Sequence, residues 1–244
     1  MKYLVTGASG FLGRNFIQSL SNDIEVLHVD SLTNSSKIEE YCSKADFVFH
    51  FAAVQKAEDY ESFYKGNVKL TQDIINFLTD SKNLCPILFS SSIHLDKNVN
   101  TDFAKTKKIA EDLLIENHNQ TGRRVGIFRL THTFGPHQKP NHNSVVSTFC
   151  HNVVNQLPIS ISNLNCQLNL MFISSVITEF MKFVNRNEFF VFKSFLGEGH
   201  SISVLELLCE INKLYLFYSE GNKVEYSDDS FHEELLQTIK FYCD

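Results

Sequence analysis

The chain has 244 residues, enough for one well-cored α/β domain or a domain with a small appendage. A formal charge of -6, with acidic and basic residues interspersed, argues against a nucleic-acid partner. No apolar run approaches the roughly 20 residues that span a bilayer, and a strand pattern follows Met1 too closely to leave room for a cleavable leader, so a cytoplasmic protein away from membranes is expected.

"KYLVT" opens as a short apolar strand, and "GASGFLGRNFIQSLS" turns from a loop into a helix. "IEVLHVD" reads as a second strand and "DFVFHFAA" as a third. Between Glu61 and Ser81 the residues Phe63, Val68, Leu70, Ile74, Ile75 and Leu78 recur at helical spacing. "PILFSSS" is a fourth strand, "TDFAKTKKIAEDLL" from Thr101 to Leu114 an amphipathic helix, and "RVGIFRL" a fifth strand. Apolar strands separated by helices predict a parallel sheet covered on both faces, an α/β doubly wound fold.

After Gly135-Pro136 the pattern changes. A polar loop, "HQKPNHN", leads to a helical stretch near Ser144–Val154, followed by short strands at "ISIS" and "QLNLMFI". A helix near Ser175–Val184 and a strand at "FFVF" come next, and the tail from Ser203 is mostly helical with polar breaks near Glu220 and Ser227.

The chemistry begins in "VTGASGFLG". Gly7, Gly10 and Gly13 stand directly after the first strand and at the mouth of the first helix. Glycine permits the tight turn and a close backbone approach to a pyrophosphate, whose charge a helix amino end favours. Asp30 ends the second strand, where a carboxylate accepts hydrogen bonds from both ribose hydroxyls of an adenosine and repels a 2′-phosphate. This pattern predicts a Rossmann-type domain over residues 1–157 that binds NAD(H), with NADP(H) kept open by the guanidinium of Arg14. Residues 158–244 are expected to add to the sheet and to form a small substrate-binding cap. Six scattered cysteines without a C-x-x-C pair read as inert thiols. The spacing of His132, His137, His142 and His151 matches no metal template, so no metal is expected.

The glycine spacing is T-G-x-x-G-x-x-G. Together with "DFVFHFAA", "FSSS", "FAKTK" and "RLTHTFGP", in that order, it resembles the extended short-chain dehydrogenase/reductase family of nucleotide-sugar epimerases, dehydratases and 4-keto reductases. Within it, "FGPHQKPNHNSVVSTFC" is most similar to the reductases of capsule and O-antigen sugar synthesis, in which this domain often precedes a cupin-like domain. The resemblance implies that Gly7, Gly10, Phe11, Leu12 and Gly13 hold the pyrophosphate and Asp30 the adenosine ribose. It places Asp46 at the adenine side, Ala52 and Ala53 along the strand end facing the cofactor, and Asn67 as the asparagine that fixes the active-site helix. Ser92 would bond the substrate oxygen, and Lys107 the nicotinamide ribose. His94, His132, Lys139, Asn143 and Ser144 fall on the substrate side. A homodimer through the helix carrying Lys107 and its predecessor is expected on the same ground.

One family position is changed. The residue that should be the catalytic tyrosine, four before Lys107, is Phe103. The spacing puts both side chains on one helix face, but a phenyl ring donates no proton. The resemblance therefore implies an NAD(P)-dependent reductase or epimerase-like enzyme working at C4 of a UDP- or dTDP-linked deoxy or amino sugar, with its acid impaired or located at His94, Ser92 or water. The alternative is a non-catalytic protein that binds a dinucleotide or a nucleotide sugar. His132 in place of an asparagine, and Ser174-Ser175 where relatives carry an acidic residue, lean toward that alternative.

Overall fold

The five apolar runs read as strands build the larger sheet in a computed structural model that describes residues 1–186, 188–221 and 230–243. They are β1 (Lys2–Thr6), β2 (Glu25–Val29), β3 (Phe47–His50), β4 (Ile87–Ser92) and β5 (Val125–Leu130). With β8 (Phe190–Ser194) they pair in the order β2-β1-β3-β4-β5-β8, every neighbour parallel. The strand order reverses around β1, and in such sheets the crevice for a ligand opens at the carboxyl ends of the strands beside that reversal.

Residue alternation along the strands sends side chains to two different layers. On one face Leu4, Leu27, Val48, Ile87 and Ile127 join one buried cluster with Ile38, Ile74, Leu78, Ala110 and Leu114. Those come from α2 (Ser35–Lys44), α4 (Leu70–Asp80) and α5 (Asp102–Thr121). The other face is aromatic: Phe16 of α1 (Phe11–Ser19) lies 4.2 Å from Phe49, and Phe180 of α7 (Ile173–Asn185) lies 5.3 Å from Phe51, between ring centroids. Gly126 leaves room for this layer, since a Cβ there would meet the Phe128 and Phe183 rings at 3.0 Å.

Contacts divide the chain into two compact units, Met1–Leu130 with Ile177–Leu196, and Thr131–Val176 with Gly197–Asp244. The first unit thus runs to Leu130 and takes in β8, which pairs in the large sheet. The second unit holds a three-stranded sheet of β6 (His132–Phe134), β7 (Gln167–Phe172) and β9 (His200–Ser203), with β6 parallel and β9 antiparallel to β7. It also holds α6 (Val145–Val154), α8 (Val204–Ser219) and α9 (Ser230–Cys243).

Several elements differ from expectation. "ISIS" is not a strand: residues 159–162 have no regular structure. Pro158 just before it lacks an N–H to enter a ladder, and both isoleucines stay only half-buried. Helix α2 has no counterpart among the sequence-based expectations. Its polar surface is laced by Glu40 with Lys37 and Lys44, and the Asn34 side chain caps it by accepting from the Lys37 amide at 2.9 Å. Strands β6 and β9, of three and four residues, are too short to carry a period. The break near Glu220 is the end of α8, whereas the one near Ser227 lies outside the described residues.

Candidate functional site

The glycine loop joins β1 to α1. Gly7 has φ +66°, and a Cβ there would stand 2.9 Å from the Ala52 nitrogen. Backbone handedness and space both demand glycine at this position. A Cβ at Gly13 would meet the Gly7 carbonyl oxygen at 2.3 Å, so the first turn of α1 packs flush against the loop. Gly10 is the N-cap of α1, with extended backbone and no capping side chain. A helix start leaves four amides without intrahelical partners, and here no side chain from the cap covers them. That is a cradle for an anion.

Asp30 follows β2, with Oδ1 accepting from the Leu32 amide at 2.9 Å and the residue exposed. Arg14 is tied back to the loop, Nε donating to the Ser9 carbonyl at 2.9 Å. Ala52 and Ala53 follow β3 at its carboxyl end, and the Ala52 amide donates to Thr6 Oγ1 at 3.1 Å. Asp46 is a correction. It precedes β3 and accepts from the Lys2 amide at 2.7 Å, at the amino end of the strands. Its carboxylate pins the start of β1 to β3 and is a strand length from the glycine loop, so it does not stand at an adenine site.

Asn67 is buried in a π-helical turn, Tyr64–Lys69, between α3 (Tyr60–Phe63) and α4. Its Oδ1 accepts from the Val54 amide at 2.7 Å, and Nδ2 donates to the Val54 carbonyl at 3.1 Å and to Thr106 Oγ1 at 3.0 Å. Thr106 donates in turn to the carbonyl of Asp102 or Phe103. One amide thus fastens the segment after β3 to the helix that carries Phe103 and Lys107.

Lys107 is 2% exposed, its Nζ finds no hydrogen-bond partner among the described residues, and it stands 4.1 Å from the centroid of the Phe89 ring. Burial pulls its pKa down to about 7, with the nearby Glu111 carboxylate pulling the other way. An amine buried without an acceptor is costly for a folded chain. Together with the glycine cradle it fits a dinucleotide whose ribose hydroxyls would supply the missing acceptors.

Phe103 faces the same side of α5, and its ring meets that of His94 edge-on at 6.1 Å. The His94 amide donates to Ser92 Oγ at 3.2 Å, which puts Ser92, His94 and Phe103 in one neighbourhood. Burial lowers the pKa of His94, and its Nδ1 is enclosed without a hydrogen-bond partner among the described residues. The other four expected residues belong to the second unit. His132 is on β6, Lys139 and Asn143 are on the loop before α6, and Asn143 has φ +57°. Ser144 is committed to capping α6, accepting from the Ser147 amide at 3.2 Å and donating to Gln138 Oε1 at 2.7 Å.

Sequence reasoning missed two networks. Arg129 donates through Nε and NH2 to both Glu111 oxygens, at 2.9 and 2.6 Å, and through NH1 to Asp96 at 2.6 Å. In the other, Thr6, His50 and Thr71 form a buried chain from β1 to α4. A histidine inside the apolar run "FVFHF" was the available signal for a buried polar partner set.

Among the described residues, no three or more His, Cys, Asp or Glu side chains could hold a metal ion, and no helix is long and apolar enough to cross a membrane.

A model of the NAD dependent epimerase/dehydratase family matches residues 3–189. The UDP-2-acetamido-2,6-beta-L-arabino-hexul-4-ose reductase of Pseudomonas aeruginosa is 37% identical over 184 residues, which are 75% of this chain and 49% of that protein. The chain therefore spans about half the length of that relative. The capsular polysaccharide assembling protein CapF from Staphylococcus aureus superposes with a TM-score of 0.85 at 26% identity, over 100% of this chain and 66% of that one. A Thermus thermophilus UDP-glucose 4-epimerase in complex with NAD shares the fold, with a TM-score of 0.81 at 16% identity over 99% of both chains.

Proposed function

Because the chain belongs to the NAD dependent epimerase/dehydratase family, we propose that it binds NAD(H) in preference to NADP(H) and works at C4 of a nucleotide-linked sugar. The substrate class is a UDP- or dTDP-linked deoxy or amino sugar of surface-polysaccharide synthesis, and the reaction is that of a reductase or epimerase-like enzyme. The carrying observation is Lys107, a buried amine without an acceptor among the described residues, on the helix that Asn67 fastens beside β3. The reductase of Pseudomonas aeruginosa supports the sugar and the keto group.

In this reading the coenzyme, when bound, supplies or accepts the hydride. Gly7, Gly10 and Gly13 let the main chain close on the pyrophosphate, while the Phe11, Leu12 and Gly13 amides face its charge. Asp30 accepts from the adenosine ribose and repels a 2′-phosphate, which favours NAD(H). Lys107 donates to the nicotinamide ribose. Ser92 orients the sugar oxygen with His94 beside it, and His132, Lys139, Asn143 and Ser144 serve the substrate side. A homodimer through α4 and α5 would bring together helix faces whose outward residues include Asp73, Lys108 and Asp112, with Lys69 just before α4 paired to Asp73.

A second reading is favoured by Phe103 itself: a protein that binds coenzyme and nucleotide sugar without turning them over. Loss of a positioned general acid costs on the order of 10²–10⁴-fold in rate, while binding through Lys107 is untouched. Fluorescence titration with NADH, and NADH oxidation in the presence of a UDP-linked 4-keto sugar, separate the readings. Phe103→Tyr is expected to raise ketone reduction by at least about 10²-fold. No gain with the sugar still bound selects the non-catalytic reading if the wild type does not oxidise NADH and a different acid if it does, and no NADH binding at millimolar concentration removes both.

A further inference from the structure

His50 closes β3 and is 1% exposed, and among the described residues no acidic side chain stands beside it to charge it. Its two ring nitrogens are both hydrogen-bonded, Nδ1 to Thr6 Oγ1 at 2.7 Å and Nε2 to Thr71 Oγ1 at 2.9 Å. The chain through these groups ends in backbone on both sides, and the Asn67 end fixes its direction. At one end the Thr71 hydroxyl lies 2.6 Å from the Asn67 carbonyl. A carbonyl only accepts, so Thr71 spends its single hydrogen there and its oxygen must accept from Nε2–H. At the other end the Ala52 amide lies 3.1 Å from Thr6 Oγ1. An amide only donates, so the Thr6 oxygen accepts from it; with Nε2 carrying the one proton of a neutral ring, Nδ1 is bare and accepts the Thr6 hydroxyl hydrogen. Every proton in the row is assigned: Ala52 N–H to Thr6, Thr6 O–H to His50 Nδ1, His50 Nε2–H to Thr71, Thr71 O–H to Asn67.

The two ends of this row are the two halves of the site. Ala52 is the residue whose backbone sits against Gly7, with only 2.9 Å between its nitrogen and a hypothetical Gly7 Cβ. Asn67 is the residue whose side chain holds Thr106 on α5, one position before Lys107. We propose that His50, locked as the neutral Nε2–H tautomer between Thr6 and Thr71, is a positioning residue that sets the glycine-loop end and the Lys107 end of the coenzyme site in one register. Burial, reinforced by the Lys107 amine, disfavours a second ring proton and lowers the pKa of His50 to about 3. A second proton on Nδ1 would reverse the Thr6–His50 bond, leaving the Thr6 oxygen to accept from both the ring and the Ala52 amide and its hydrogen without a place in the row.

The inference rests on the coenzyme reading, and its test keeps the two separable. On the wild-type full chain, long-range 15N-edited imidazole spectra read the tautomer without any ligand. His50 is expected to show a protonated Nε2, a bare Nδ1 and no titration down to about pH 5, where an ordinary histidine is charged. An Nδ1–H tautomer, or titration near the ordinary value of about 6.5, overturns the proposal whatever the protein binds.

Two variants then cut the row on either side. His50→Gln keeps an N–H near the Nε2 position, and with it the Thr71 limb, and loses the acceptor for Thr6. His50→Asn keeps an acceptor near Nδ1 and loses the donor to Thr71. NADH and ADP-ribose serve as probes, since ADP-ribose spans the glycine loop but has no nicotinamide. His50→Gln is expected to weaken both probes by roughly five- to tenfold, and His50→Asn to weaken NADH by that factor while leaving ADP-ribose within about twofold. Equal effects of the two variants on the two probes, or none, overturn the proposal while the coenzyme reading stands on wild-type binding. A wild-type chain that binds neither probe overturns both. Variants that fail to fold leave the wild-type spectra to decide.

Discussion

Two cations meet α5 one helical turn apart, Lys107 as part of the helix and Arg129 through Glu111, and they could hardly be treated more differently. Arg129 reaches Glu111 with two nitrogens and Asp96 with a third, and the far oxygen of Asp96 accepts from Ser194 Oγ at 2.6 Å. Its guanidinium also lies 4.6 Å from the Phe192 ring centroid, and the carboxylates hold its pKa above the usual range. Lys107 has an aromatic face and no acceptor among the described residues. The first arrangement is closed on itself and knits α5, β5, β8 and the segment after β4 together. The second is open, with donor capacity that the protein leaves unused. Buried donors without partners are uncommon in folded chains, and strain of that kind collects at functional sites.

The contrast breaks if the two sites respond alike to losing a partner. Glu111 is 1% exposed, and Glu111→Ala would leave the largely buried Arg129 guanidinium with only Asp96. Removing one member of a buried pair is expected to cost about 3–5 kcal/mol, read as a fall in the urea midpoint at unchanged slope. Lys107→Met should go the other way, because an apolar side chain of similar length removes a buried unpaired amine. A gain of about 1–3 kcal/mol is expected in the same assay, together with loss of NADH affinity. Destabilisation by Lys107→Met would show that the amine has a partner in the folded chain and that the site is structural.

The glycine loop, five strands, and the order of Asn67, Ser92, residue 103 and Lys107 were legible in the sequence, because each depends on local spacing. Strand runs and a glycine triplet are short-range signals. The Asp46 assignment failed for a related reason: a motif match gives position along the chain, and only the parallel pairing of β1 with β3 shows that this residue sits at the amino end. What His50 and Arg129 pair with was beyond reach as well. Their partners Thr71, Glu111 and Asp96 lie 18 to 33 residues away, and nothing in the spacing pairs them. Helix α2 was hidden because Glu40, Lys37 and Lys44 cover a segment whose buried side is only Ile38 and Cys42.

The finest test of the two-cation contrast is pH. The folded-state pKa of Lys107 is depressed to about 7 from an ordinary 10.5. Glu111 on its own helix favours its charge, while His50 on β3 stays neutral between the two threonines. Below about pH 7 folded and unfolded chains both hold the proton, and the full cost of burying it is present. Between about 7 and 10.5 the unfolded chain holds a proton that the folded chain has released, so this group makes stability rise with pH. Above that window both are neutral and the cost is gone. The stability gained by Lys107→Met over wild type should therefore shrink from neutral toward about pH 10, by at most about 1.4 kcal/mol per unit. Arg129 remains charged throughout, so once Lys107 is neutral, from about pH 8 upward, Glu111→Ala should keep an unchanged deficit. A gap for Lys107→Met that stays flat from about pH 7 to about pH 10 would mean the amine is charged and partnered in the folded protein.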